Sequence, residues 1–155
     1  MATNQTWVAV TKDNLKAFLN DDQLEALTAD NKASGQSDRD TVVIPTVCDE
    51  MRDDIENNGQ NVVDSVAHTV PPGLVKTAVW LILNQLSLTH SAVLKLTDEQ
   101  KTEVKDAKAR MERIRTGEQK VAAPVLAAGS TMQTNGATAV EYNELQTTRD
   151  QLTGL

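Results

Sequence analysis

The sequence has little of three kinds of residue on which many protein functions depend. Cys48 is the only cysteine among 155 residues, so no intrachain disulfide can form, and an intracellular setting is the simpler expectation. Aromatic residues make up 3% of the chain, which limits stacking surfaces for nucleobases or sugars. Acidic residues outnumber basic ones by 22 to 15, and no Lys/Arg cluster offsets this balance. The composition therefore argues against direct binding of a nucleic-acid backbone, which needs concentrated positive charge.

The sequence also lacks a long hydrophobic run. The most apolar stretch, LVKTAVWLILNQLSL, is interrupted by Lys76, Asn84 and Gln85. It is shorter than the roughly 20 apolar residues that a membrane-spanning helix needs. The first residues, MATNQTWVAV, have neither the basic start nor the apolar core of a signal peptide. We therefore expect neither a membrane span nor a secretion signal.

Residues suited to catalysis or metal binding are few. Cys48 falls on the apolar side of a predicted helix, so we expect a core residue rather than a reactive thiol. His68 and His90 are far apart and have no Cys or Glu at ligand spacing. The acidic run DEMRDDIENN lacks the alternating oxygen ligands and central glycine of an EF-hand loop, and no Gly-rich phosphate loop occurs. The sequence thus predicts a non-enzymatic protein without a metal or cofactor.

Helical periodicity, in contrast, is abundant. Thr11 is a plausible N-cap of a first helix, and the acidic pair at 21–22 can restart a second, short one. A long helix is predicted from Asp40 as its N-cap, with Pro45 in the first turn, to a stop at Gly59.

Two further helices carry most of the predicted core. The segment VPPGLVKTAVWLILNQLSLTH is apolar around most of its circumference, which is typical of a helix buried in a core or an interface. In the last helix, Thr97 and Gln100 form a capping box, and Gly117 is the stop. About four helices without a βαβ rhythm predict an all-α fold, a small bundle with an extended C-terminal tail. The side chains expected to hold its core are Leu74, Val79, Ile82, Leu86, Val104, Met111 and Ile114.

The long helix that contains DEMRDDIENN has an unusually acidic outer side. Asp49, Glu50, Asp53 and Asp54, which we call the acidic face, lie opposite its apolar stripe, and Arg52 is the only cation beside them. Like charges four residues apart each cost a few tenths of a kcal/mol, so helix propensity does not explain this pattern. A solvated helix side is the simplest interpretation. The alternative is a surface that faces DNA without holding it, because carboxylates repel phosphates.

The chain after the last predicted helix has a different composition. The stretch KVAAPVL is apolar enough to dock on a surface, and the Gly/Thr-rich stretch GSTMQTNGAT has no core-forming pattern. The stretch AVEYNELQTTRDQL, with Val140, Leu145 and Leu152, indicates a last short helix. We therefore divide the chain into a helical body over residues 1–117 and an extended arm over residues 118–155.

Taken in order, these segments resemble the helical head-to-tail adaptor (neck) proteins of tailed bacteriophages, especially the family typified by a Mu-like prophage protein. The resembling segments lie between Trp7 and Val121 and are WVAVTKDNLKAFLNDDQLEALT, CDEMRDDIENN, VPPGLVKTAVWLILNQL and EVKDAKARMERIRTGEQKV. They share apolar spacings rather than catalytic residues. The segment IENNGQNVV departs from the family, whose members often have aromatics and an arginine there.

The resemblance implies a structural virion subunit, made in the host cytoplasm and placed in the neck between capsid and tail. Such subunits form a ring, typically of twelve, that contacts the portal protein and a tail or stopper protein and lets DNA pass without binding it specifically. The acidic face would then line the lumen or a subunit interface. The arm would dock on the portal through Lys120, Val121, Pro124, Val125 and Leu126.

Two other classes stay open on the sequence alone. One is a soluble helical module, oligomeric and regulatory or interacting, in which the arm is a linker or a short linear motif. The other is an enzyme that uses Cys48 or the histidines. Genome position separates the first class from an adaptor, because an adaptor gene lies among portal, capsid and tail genes.

Overall fold

The structure is a computed structural model that describes residues 4–28, 38–57, 59–89 and 94–125. Over these ranges it contains five α-helices, one short 3-10 turn and a two-stranded antiparallel sheet, so the all-α expectation is confirmed with a minor sheet added. None of the described helices is long and apolar enough to cross a membrane. The elements in chain order are β1 (Val8–Ala9), α1 (Lys12–Lys16), α2 (Asp21–Thr28), α3 (Arg39–Glu56), β2 (Thr69–Val70), the 3-10 turn (Pro72–Leu74), α4 (Val75–Thr89) and α5 (Asp98–Arg115).

The core forms where α3, α4 and α5 pack against one another. α4 contributes most to it, because Trp80 and Thr77 are buried as well as the apolar stripe, as its nearly apolar circumference predicts. Phe18, just after α1, packs edge-on against Trp80 with ring centroids 5.4 Å apart and covers this end of the core. Each side chain expected in the core is buried, namely Leu74, Val79, Ile82, Leu86, Val104, Met111 and Ile114.

The start of α3 differs from the prediction. The helix begins at Arg39 with Asp38 as its N-cap, so Asp40 lies inside the first turn, where its carboxylate pairs with Lys12 at 3.0 Å. Pro45 is consequently the seventh helical residue rather than a first-turn residue. A proline there removes one backbone hydrogen bond, which the packing of the helix against α4 and α5 outweighs. The helix ends close to the predicted stop: its last residue is Glu56, and Gly59 follows with a left-handed φ of 66°.

The two short strands were not predicted. β1 and β2 pair in antiparallel register, Val8 with Val70 and Ala9 with Thr69, which fixes the N-terminal segment against the chain that precedes α4. Trp7 is buried beside this pair. A two-residue strand is too short to show an alternating hydrophobic pattern, so periodicity alone does not reveal it.

The folded body extends beyond the boundary that we placed at Gly117. Gly117 has a φ of 82° and turns the chain out of α5, as expected of a C-terminal glycine. The chain then runs along the N-terminal segment, where the Gln5 N–H donates to the Ala123 carbonyl at 2.9 Å and the Val125 N–H donates to the Gln5 carbonyl at 3.2 Å. Pro124 is fully buried by this contact. The packed body therefore reaches at least Val125, the last described residue of the chain.

The capping box at the start of α5 offers a first test of the fold. The Thr97 Oγ1 accepts from the Gln100 N–H at 3.3 Å, and the Thr97 N–H donates to the Gln100 Oε1 at 2.9 Å. We expect Thr97→Ala to lower the free energy of unfolding by about 1 kcal/mol in urea denaturation followed by circular dichroism. The control is Thr102→Ala, an exposed change on the same helix, which we expect to alter stability by less than about 0.5 kcal/mol. Equal losses in the two variants would contradict the capping assignment.

Candidate functional site

The acidic face lies on α3 and divides into two pairs. Asp49 and Asp53 are one helical turn apart, and so are Glu50 and Asp54, but the two pairs point about 100° apart around the helix. Glu50 and Asp53 are exposed, whereas Asp49 and Asp54 are half-buried. The four carboxylates therefore do not form one uniform surface, because the second pair turns toward α5.

Asp49 has a partner that the sequence analysis missed. Its carboxylate lies 2.9 Å from the Nδ1 of His68, which is on the link before β2 and has a left-handed backbone φ of 61°. Both side chains are about half exposed, so this contact contributes less than about 1 kcal/mol. His68 is nineteen residues away in sequence. Only the tertiary fold brings the two together, so no local pattern indicates the pair.

Arg52 does not neutralise the acidic face, although it is the only cation in that stretch. Its guanidinium donates to the Thr69 carbonyl of β2 at 3.1 Å and to the Asp64 carbonyl on the link before β2. It also lies over the Trp7 ring, 5.6 Å from the ring centroid, a cation–π arrangement. The guanidinium of Arg52 thus interacts with other parts of the body rather than with the acidic face. Asp53 has no cationic side chain within ion-pairing distance among the described residues.

Glu50 and Asp54 border a cavity of about 460 Å³ between α3, α4 and α5, which we call the α5 groove. Burial raises the pKa of the Asp54 carboxyl, and the nearby Arg115 guanidinium opposes this shift. Lys108 and Arg115 border the same cavity from α5. Apolar side chains form its floor, namely Val47, Met51, Leu81 and Met111.

The residues predicted to dock on a portal have different environments. Val121 is half-buried, packs against the core and donates its N–H to the Asn61 Oδ1 at 3.1 Å. Pro124 is buried, Lys120 is exposed, and Val125 is 53% exposed. Leu126 lies outside the described residues. Of the described docking residues, Lys120 and Val125 are therefore the two exposed to another molecule while the body keeps this arrangement.

The residues considered for chemistry do not come together. Cys48 is fully buried, and this burial, with a smaller contribution from the Asp49 carboxylate, raises the pKa of the thiol to about 11. His90 lies outside the described residues. No group of three His, Cys, Asp or Glu side chains within the described ranges is placed to hold a metal ion.

The buried thiol leads to a direct prediction. At pH 8, we expect a thiol reagent such as dithiobis(nitrobenzoate) to label native Cys48 about 200-fold more slowly than Cys48 in the urea-unfolded chain. The reason is that a pKa of about 11 leaves very little thiolate, and the side chain is also inaccessible. The released chromophore measures the rate. Comparable rates in the folded and unfolded protein would show that the thiol is available for chemistry.

No family model, curated protein or solved structure matches the chain. Its function is therefore inferred from its own surfaces. These are the acidic face, the arm and the α5 groove.

Proposed function

We propose that this protein is a structural, non-enzymatic head-to-tail adaptor of a tailed-bacteriophage virion. In this role, it forms a ring of twelve copies below the portal and joins the capsid to the tail in the neck. Its partners are further copies of itself, the portal protein and a tail or stopper protein. DNA passes through the ring without specific binding.

The observation that carries the proposal is the exposed negative charge on the outer side of α3, where Asp53 has no cationic side chain within ion-pairing distance among the described residues. Glu50 and Asp53 are exposed, and Arg52 is turned into the body. A carboxylate surface repels DNA phosphates, so a channel lined by it lets DNA slide without sticking. Screening limits this effect to about 8 Å at physiological salt, so the charges act only where DNA passes close by, as it does in a narrow lumen.

The architecture of the body supports the same role. α3, α4 and α5 close a core of their own, so the subunit has the means to fold before it meets a partner. The chain leaves this body at Val125, an exposed apolar residue, and residues 126–155 follow. An arm of that length has enough residues to contact a neighbouring protein while the body keeps its fold.

Inactivating the gene in its phage tests the proposal. We expect separate heads and tails to accumulate, and we expect expression of the full chain from a plasmid to restore joined particles. Electron microscopy of lysates distinguishes these outcomes. Normal virions in the absence of the protein would overturn the adaptor role.

The acidic face has its own matched experiment. We expect the double variant Glu50→Gln, Asp53→Asn to assemble into virions whose DNA ejection is slower, because phosphates no longer meet a repulsive wall. The control is Glu99→Gln, Asp106→Asn, which removes the same two kinds of charge from exposed positions on α5. Ejection kinetics are followed by the fluorescence of a DNA dye. Equal ejection kinetics in the two variants would contradict the proposal that the acidic face lines the lumen.

A further inference from the structure

A cavity of about 340 Å³ lies between α4 and α5 and shares no residue with the α5 groove; we call it the α4–α5 pocket. Trp80, Ala107 and Ala109 contribute apolar side chains to it, and Arg110 and Arg113 border it from α5. Small-molecule sites in proteins have volumes of about 300 to 1,000 Å³. The pocket therefore has room for a small organic molecule.

Two arginines of the α4–α5 pocket have no ionic partner. Arg110 and Arg113 are three residues apart on α5, so their side chains lie on the same side of the helix. Among the described residues, no carboxylate is within ion-pairing distance of either guanidinium. The buried Thr77 orients Arg110, since its Oγ1 accepts from the Arg110 Nη1 at 3.3 Å. Two adjacent guanidiniums with donors to spare are suited to binding a planar carboxylate.

Trp80 brings a further donor to the same pocket. The residue is 6% exposed, and its Nε1–H is the buried side-chain donor that has no hydrogen-bond acceptor within the described ranges. Phe18 packs edge-on against this indole, but its ring offers no oxygen or nitrogen acceptor. Buried donors in folded proteins nearly always have an acceptor. An unpaired N–H on a residue that borders a cavity therefore indicates an acceptor that comes from a bound molecule.

The charge of the pocket favours one class of anion. Three cationic side chains and two carboxylates border it, which gives a net charge of +1, namely Lys76, Arg110, Arg113, Glu103 and Asp106. Lys76 and Glu103 pair with each other at 2.9 Å, so Asp106 is the acid that remains beside the two arginines. A monovalent carboxylate balances the net charge. A phosphate dianion exceeds it and is repelled more strongly by Asp106.

We propose that the α4–α5 pocket binds a small organic carboxylate with an apolar body. The carboxylate accepts hydrogen bonds from Arg110 and Arg113, and one of its oxygens also accepts from the Trp80 Nε1–H. The apolar body packs against the Trp80 ring and Ala107. Binding of this kind needs only the isolated subunit, so it does not depend on the adaptor role.

Nuclear magnetic resonance of the full-length, ¹⁵N-labelled protein tests the site. Trp7 and Trp80 are the two tryptophans of the chain, so the spectrum contains two indole N–H signals, which the Trp80→Phe variant assigns. Sodium benzoate is the probe, and benzamide, which has a similar shape and no charge, is the matched control. We expect benzoate to move the Trp80 signal downfield with half-saturation at about 1 mM, and benzamide to bind about tenfold more weakly. The Trp7 signal is expected to stay in place, because its N–H already donates to the Ala122 carbonyl.

Charge removal on α5 provides the second readout. We expect Arg113→Gln to weaken benzoate binding about fivefold, whereas Lys105→Gln, an exposed change that does not border the pocket, leaves it unchanged. Phosphate at the same ionic strength is expected to bind about tenfold more weakly than benzoate. A Trp80 signal that does not respond to benzoate would overturn the proposal, and so would equal binding of benzoate and benzamide or equal affinities in the two variants. Tighter binding of phosphate than of benzoate would overturn the assignment to a carboxylate.

Discussion

Removal of residues 118–155 is expected to destabilise the folded body by about 3–5 kcal/mol, whereas removal of residues 126–155 alone costs about 1 kcal/mol or less. The first deletion takes away Pro124, which is fully buried, and the half-buried Val121. It also removes the acceptor of the Trp7 Nε1–H, the Ala122 carbonyl at 3.3 Å. The second deletion removes none of these contacts.

Urea denaturation followed by circular dichroism compares the two truncated proteins with the full chain. The shorter deletion is the control for loss of the arm itself. If both truncations are as stable as the full chain, residues 118–125 do not belong to the body, and the boundary at Gly117 holds after all. If the shorter deletion alone unfolds the protein, residues beyond Val125 are part of the core.

Replacing Ile82 by Ala is expected to lower the free energy of unfolding by about 3–4 kcal/mol. Ile82 is fully buried on α4, the helix that packs against both α3 and α5. The substitution therefore leaves a cavity between the three helices, which cannot move closer to fill it. The control is Leu88→Ala on the same helix, which changes an exposed side chain and is expected to cost less than about 1 kcal/mol. Urea denaturation measures both variants, and similar losses would mean that α4 is not the centre of the core.

The sequence predicts the later helices well because their signals are local. Thr97 and Gln100 satisfy each other's backbone groups within one turn, and Gly117 adopts the left-handed conformation that ends a helix. The buried stripes of α4 and α5 follow from apolar spacing alone. The start of α3 is predicted less well. Proline favours the first turn of a helix, but in the structure tertiary packing allows Pro45 to lie one turn further into α3.

The surfaces are harder to predict because they depend on residues that are distant in sequence. Trp7 meets Ala122, and Asp49 meets His68, only after the helices have packed. The orientation of Arg52 toward Trp7 and Thr69 likewise decides whether the acidic face keeps its charge. Sequence periodicity places the carboxylates on one helix, but it does not show which of them border a groove.

The proposed adaptor role implies that a tailed phage carries this gene, and electron cryomicroscopy of the virion neck of that phage tests the proposal most directly. The account predicts a closed ring of this chain between portal and tail, with α3 toward the lumen and the chain beyond Val125 in contact with the portal. Virion necks from that phage built entirely from other chains would contradict it.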